Sequence, residues 1–275
     1  MKMRTVHTSP SQVWRNGRMQ AGTRAIPEET PVAISYNGST QAVMMATPAD
    51  LEDFAVGFSL SEGIVASAAQ IETLELVPHD DGVELRMWLA DAEADVLQQR
   101  RRHIAGPTGC GLCGVDSIAE AVRPVATVGE GRSFSPQQIV AAIEAMPPLQ
   151  KLNVETRAVH AAAYYIPEQG IVALREDVGR HNALDKLAGA IARGGIDASR
   201  GLVLLTSRVS VEMVQKTAAL GCSVLVAVSA PTALAVRMAE AAGITLAAIA
   251  RADGFEVFTH PSRIDHTHDG AADVA

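Results

Sequence analysis

The sequence predicts an α/β protein, with a three-layer C-terminal unit joined to a smaller N-terminal α+β region. Three observations lead there. In the last third of the chain, short strands that are apolar throughout alternate with segments of helical period, the pattern of a parallel sheet covered on both faces. Nearer the N-terminus, the Asn37-Gly38 turn signal stands between two extended stretches and marks a hairpin. Over 275 residues, 48% are apolar and only 20% charged, enough to build a substantial core in one large domain or two small ones.

The elements follow in order. Residues 1–25 are polar and aperiodic and read as a mobile tail, and 266–275 read the same way. The N-terminal α+β region spans 26–105. It opens with strands at 31–36 and 41–45. A helix follows, with Thr47 placed to cap it, Pro48 at its first position, Leu51, Phe54, Ala55 and Phe58 on one face, and Gly63 at its end. Residues 83–89 alternate as a half-buried strand and 91–103 read as a helix. The stretch 106–114 holds four glycines and a proline in nine residues and is a loop. From 115 to 265 lies the α/β unit. Ser135, Pro136 and Gln138 form a cap signature ahead of Ile139, Ala142, Ile143 and Met146 at helical spacing. Strands at 171–174, 201–206, 223–228 and 244–250 are apolar, 255–259 alternates, and helices at 211–220 and 231–242 end at Gly221 and Gly243.

Charge and cysteine use exclude several classes. A net charge of −8 gives no basic face for nucleic acid. The N-terminus lacks an apolar core of signal-peptide length, and no uncharged run approaches the roughly 18 to 20 residues of a membrane span, so the expected location is the cytoplasm. The three cysteines, Cys110, Cys113 and Cys222, do not make a disulfide framework.

The densest chemistry lies in Thr108-Gly109-Cys110-Gly111-Leu112-Cys113-Gly114, two thiols at C-x-x-C spacing between glycines. A helix at 115–122 would set them near its N-terminus, where the dipole lowers a thiol pKa. Sulfur or redox chemistry fits this loop. Half a zinc site is an alternative, although no second pair of ligands accompanies it; a thioredoxin-like pair or an inert loop are others. Cys222 opens an apolar strand and reads as a small buried hydrophobe. A second charged constellation runs from Arg175 to Lys186 directly after a strand. Asp177 or Asn182 there can serve simply as a cap, or Arg180 and His181 can join an anion site. Ser207 and Arg208 occupy a strand-to-helix turn, where free N–H groups and the helix dipole favour phosphate, and Ser229-Ala230-Pro231-Thr232 stands at the equivalent place one unit later. No G-x-G-x-x-G or Walker pattern accompanies them.

Together these stretches resemble the FdhD family (FdhD/NarQ) of formate dehydrogenase accessory sulfurtransferases. The resemblance rests on Thr47-Pro48-Ala49-Asp50-Leu51-Glu52-Asp53-Phe54 with Ser61-Glu62-Gly63-Ile64, the 108–114 thiol loop, and the 176–186 segment. It continues in Ser207-Arg208-Val209-Ser210, Val214-Gln215-Lys216, residues 226–234 and residues 255–260. One departure stands out: Arg157-Ala158 occupies the place where the family usually reads Gly-Gly after Thr156. The resemblance implies a cytidine-deaminase-like fold without catalytic zinc or structural metal. It implies a sulfurtransferase that takes persulfide sulfur from a cysteine desulfurase and passes it to the molybdenum of bis-molybdopterin guanine dinucleotide, bound as substrate. The cofactor then enters the catalytic subunit of a formate dehydrogenase. On that match Cys110 carries the persulfide with Cys113 beside it, and Phe255, Glu256, Val257, Phe258, Thr259 and His260 contact the cofactor, joined by Arg180, His181, Ser207 and Arg208. A homodimer is expected. The competing expectations are a non-catalytic chaperone of the same cofactor and a thiol–disulfide oxidoreductase.

Overall fold

A computed structural model describes residues 3–90 and 125–265. The helices expected at 91–103 and 115–122 and the thiol loop with Cys110 and Cys113 lie outside the described residues.

The chain opens with a hairpin, β1 (Val6–Arg15) and β2 (Arg18–Pro27), paired in register through all ten residue pairs. This corrects the reading of residues 1–25 as an aperiodic tail. The strands carry exposed residues on both faces, so the alternation that betrays a half-buried strand is missing from the sequence. The turn, Asn16-Gly17, has positive φ at both residues and is the expected two-residue type. Arg24 reaches the carbonyl of Thr156, which ties the hairpin to the rest of the molecule.

The N-terminal region is a four-stranded sheet in the order β4-β3-β6-β5, from β3 (Thr30–Tyr36), β4 (Ser39–Ala46), β5 (Ile71–His79) and β6 (Gly82–Leu89). The hairpin predicted at Asn37-Gly38 is β3–β4, and in β6 Val83, Leu85, Met87 and Leu89 point into the core. Helix α1 (Leu51–Ser61) lays Phe54 and Phe58 on this sheet. It starts three residues later than the cap signature predicts. Thr47 is not the cap, because its hydroxyl, N–H and carbonyl are all engaged by residues more than 100 positions along the chain.

The C-terminal unit is a six-stranded sheet ordered β12-β11-β10-β9-β7-β8. Its strands are β7 (His160–Ile166), β8 (Gly170–Asp177), β9 (Leu202–Leu205), β10 (Val224–Ala227), β11 (Thr245–Arg251) and β12 (Gly254–Thr259). The sheet is mixed, not purely parallel: β9, β10 and β11 are parallel, while β7 and β12 run antiparallel to their neighbours. Side chains alternate between two cores. Val203, Leu205, Leu225 and Leu246 meet one layer, built by α4 (Arg180–Arg193), α5 (Val211–Leu220) and α6 (Ala233–Ala242). Leu202, Leu204, Val224 and Val226 meet α2 (Pro136–Ala145) on the other face. Three layers result, as the sequence predicts. The capping box read at Ser135 and Gln138 is present, and α5 has the predicted bounds. The short helix α3 (Lys151–Thr156) ends at Arg157, which adopts φ 57° and ψ 30°. That left-handed conformation is one glycine holds without a Cβ clash, which gives the family's glycine here a physical reason.

The two regions join where α1 crosses α4. A Cβ on Gly57 would lie 1.7 Å from the Asp185 carbonyl oxygen, and one on Gly189 would lie 1.9 Å from that of Asp53. Only glycine at both positions permits the contact. Around it, Asp53 pairs with Arg175 and Arg193, and Lys216 bridges Ser61, Glu62 and Asp185 at 2.9 Å each. Burial opposes the charge on Lys216, but the Asp185 and Glu62 carboxylates outweigh it and hold its pKa above the ordinary lysine value.

Candidate functional site

Three connections leave the six-stranded sheet at the carboxyl ends of β8, β9 and β10, and each enters a helix of the same layer. Because β7 is antiparallel to both β8 and β9, its first residue, His160, belongs to this edge too. The edge is therefore lined by His160, the β8–α4 turn, the β9–α5 loop and the β10–α6 loop. The last two are tied to each other: Val209 N–H donates to Ala230 O at 3.2 Å, and Thr232 N–H donates to Val209 O at 2.9 Å. Thr232 then caps α6 by accepting from Ala235 N–H. Open α/β sheets bind ligands in the crevice outside the carboxyl ends of their strands, where free N–H groups collect.

The charged segment after β8 divides between fold and site. Asp177, fully buried, accepts from Thr47 N–H at 3.0 Å, Gly179 N–H at 2.7 Å, Asn182 Nδ2 at 3.0 Å and Lys186 Nζ at 2.6 Å. Lys186 also donates to Thr47 O, and Asn182 to Met45 O. Asp177, Asn182, Asp185 and Lys186 thus clasp the N-terminal region onto the sheet. That clasp fixes where α4 begins, and so fixes its first two residues, Arg180 and His181.

His181 faces the other way, toward the first turn of α5. His181 Nε2 stands 3.9 Å from Glu212 Oε2, with both side chains 13% exposed. Burial pushes the Glu212 carboxyl up. The adjacent His181 and Ser210 side chains and its own backbone N–H outweigh that and bring it down to about 2, so Glu212 is ionised. Ser207 is buried at the end of β9, with its hydroxyl donating to Arg208 O at 3.1 Å, and Arg208 is exposed beside it. The structure therefore gathers Arg180, His181, Ser207 and Arg208 at one edge, as the sequence predicts. It adds His160, Ser210, Glu212 and Gln215. Glu212 escapes a sequence reading because an acidic residue two positions after a serine cap looks like ordinary helix-dipole compensation.

The segment of Phe255, Glu256, Val257, Phe258, Thr259 and His260 is not brought to the same place. It is β12 and its exit, at the far side of the sheet from β8; five strand spacings separate them, roughly 24 Å. Phe255 and Glu256 begin near the carboxyl edge. Thr259 and His260 end at the amino edge, where Thr259 is buried, accepts from Leu246 N–H and donates to Ile244 O. His260 meets the Glu240 carbonyl there. The ten residues expected to meet the cofactor thus fall into two groups, on opposite flanks of one sheet.

Cys222 is fully buried, with its thiol against the carbonyls of Gly201 and Val224, and burial pushes it up to about 11. It is packing, as predicted.

Among the described residues, no helix is long and apolar enough to cross a membrane. The FdhD/NarQ family matches residues 27–265. The sulfur carrier protein FdhD of Agrobacterium fabrum is 58% identical over 251 residues, covering 91% of this chain and 93% of that one. The protein of the same name from Cupriavidus necator is 51% identical over 253 residues, covering 92% and 88%. A crystal structure of a protein named as a formate dehydrogenase accessory protein, from Desulfotalea psychrophila, superposes with a TM-score of 0.74 at 26% identity, over 95% of this chain and all of that one. From its α/β fold, its motifs and these matches, the chain belongs to the FdhD/NarQ family.

Proposed function

We propose that this protein is a sulfur carrier that serves formate dehydrogenase: Cys110 receives sulfur as a persulfide from a cysteine desulfurase and hands it to the molybdenum of bis-molybdopterin guanine dinucleotide. The observation that carries the reading is the 58% identity to a relative named a sulfur carrier protein, in a chain with two thiols at C-x-x-C spacing between glycines. Loading is a thiolate exchange on the outer sulfur. The Cys110 thiolate attacks the outer sulfur of the desulfurase persulfide, that S–S bond breaks, and the desulfurase thiolate leaves, so no electrons are gained or lost. The strand-end crevice supports the other half of the reading. Arg180, His181 and Arg208 beside two helix N-termini suit the phosphates of a dinucleotide in a protein that is otherwise acidic. β12 offers a second zone for a ligand long enough to reach across the sheet.

The spacing of the thiols adds a constraint. A persulfide on Cys110 lies within reach of Cys113 in sequence, and attack by that thiolate on the inner sulfur would expel sulfide and leave a disulfide. Delivery can compete with that reaction only if Cys113 is held away, stays protonated, or relays the sulfur once the cofactor docks. The test is intact-protein mass spectrometry after incubation with a desulfurase and cysteine. The unmodified chain and Cys113→Ala should each gain one sulfur, and Cys110→Ala should gain none. Loading of Cys110→Ala equal to the unmodified chain would defeat the assignment.

A further inference from the structure

The β1–β2 hairpin differs from the rest of the molecule in its charge and in how its side chains divide between two faces. Residues 1–27 hold five of the 23 Lys and Arg and none of the 31 Asp and Glu, so this arm is +5, while the rest of the chain, with 18 basic residues against 31 acidic, is −13. The unbroken register sorts the side chains onto two faces. Arg15, Arg18 and Arg24 share one of them. On it Arg24 reaches the Thr156 carbonyl and Ser9, Ser11 and Val13 are half-buried, so that face is turned toward the molecule. The opposite face carries no charge from Thr8 to Trp14 in β1 and from Met19 to Thr23 in β2, and every residue of it over that span is exposed. At its tip Trp14 and Met19 stand opposite each other, 64% and 57% exposed. A two-stranded hairpin is marginal alone in water, and an indole and a thioether left side by side in solvent do nothing to hold it.

We propose that this hairpin is a docking arm for an acidic protein surface with a recess that takes Trp14 and Met19. Composition and the placement of charge choose a protein. Trp, Met and Arg are enriched at the centres of protein interfaces, and Lys, depleted there, is missing from β1 and β2. Nucleic acid or an anionic membrane would draw on a run of cations along the outward face, and that face has none. Charge complementarity then sets the sign of the partner. Arg15 and Arg18, exposed beside the turn, meet acidic groups at the rim of the recess and speed encounter, while Trp14 supplies the buried anchor. The remainder of the chain, at −13, repels an acidic protein, so the arm is where such a partner can approach. The choice of proteins to test rests on the carrier reading proposed above, in which the chain meets a desulfurase and a formate dehydrogenase in turn.

Surface plasmon resonance with the full chain immobilised, against the cysteine desulfurase and the formate dehydrogenase at low and at physiological salt, tests it. The unmodified chain should bind one of the two, with association that slows as salt rises. Trp14→Ser should weaken that binding by about tenfold or more, the scale of a buried aromatic anchor, while Trp14→Phe keeps most of it. Arg15→Glu combined with Arg18→Glu should slow association and flatten its salt dependence, and this pair decides the matter should Trp14→Ser not fold. Unchanged binding in folded variants, or an unmodified chain that binds neither protein, overturns the proposal; the carrier reading still stands if Cys110 gains sulfur. Arm-dependent binding to RNA or to anionic vesicles in place of a protein overturns it too, as does a Trp14→Ser variant that alters only the oligomeric state. An arm that binds while Cys110 never gains sulfur keeps the proposal and removes the carrier reading.

Discussion

His160 shows how one residue registers the character of the crevice. Burial comes first, and the positive charge of Arg180 second, in holding its pKa below the ordinary histidine value; Asp177 pulls the other way. Folded His160 is therefore neutral near neutral pH, while in the unfolded chain it takes a proton at about 6.5. Since the unfolded state then binds more protons, stability is intact above about pH 6.5 and falls as pH drops through that value toward the lower folded one. Thermal melting between about pH 7 and about pH 5 should show a steeper loss for the unmodified chain than for His160→Gln. Parallel slopes would mean that His160 does not sense this environment. Cys222 gives the complementary case. Its thiol, pushed up to about 11 by burial, is a poor nucleophile, so Cys222→Ala should load sulfur normally while losing about 1 to 2 kcal/mol of stability in urea titration. A folded Cys222→Ala that cannot be loaded would show a role beyond packing.

At the scale of elements, the α1–α4 crossing decides where the site stands. A methyl group on Gly57 meets the backbone of α4 at 1.7 Å, a distance no side-chain adjustment relieves, so Gly57→Ala must push the helices apart. A loss of more than about 3 kcal/mol is expected, measured by denaturant midpoint, beyond the usual 1 to 3 kcal/mol of overpacking. A loss under about 1 kcal/mol would show that the crossing yields easily. The same elements show what a sequence discloses. Where structure is set by neighbours in the chain, it was legible: the Asn37-Gly38 hairpin, the Ser135 capping box, and α5 between its serine and Gly221. Where distant residues decide, it was not. Thr47 looks like a cap and is instead held by Asp177 and Lys186, and β7, whose partner strands set its direction, turns a parallel sheet into a mixed one. The site divides in the same way. Arg180, His181, Ser207 and Arg208 were readable as residues that follow strands, whereas Glu212 matters only because α4 and α5 lie side by side. The separation of β12 from the crevice follows from strand order, which no local motif encodes.

For the molecule as a whole, the family match begins at residue 27, just where the N-terminal hairpin ends, so the two sheets, the clasp and the crevice belong to the shared module. Within it, the Asp177 and Lys216 networks lock the N-terminal region against the helices that carry the crevice. The module thus presents the strand-end crevice in a chain whose Cys110 and Cys113 are framed by glycines in sequence. If Cys110 carries sulfur to a substrate held in that site, isotopically labelled sulfur loaded on the protein must reappear on molybdenum. The most direct measurement follows that label, from chain charged by a desulfurase into formate dehydrogenase activated in an extract lacking the native protein. The account predicts labelled, active enzyme with the unmodified chain, and neither label nor activity with Cys110→Ala; active enzyme without label, or label delivered by Cys110→Ala, would contradict it.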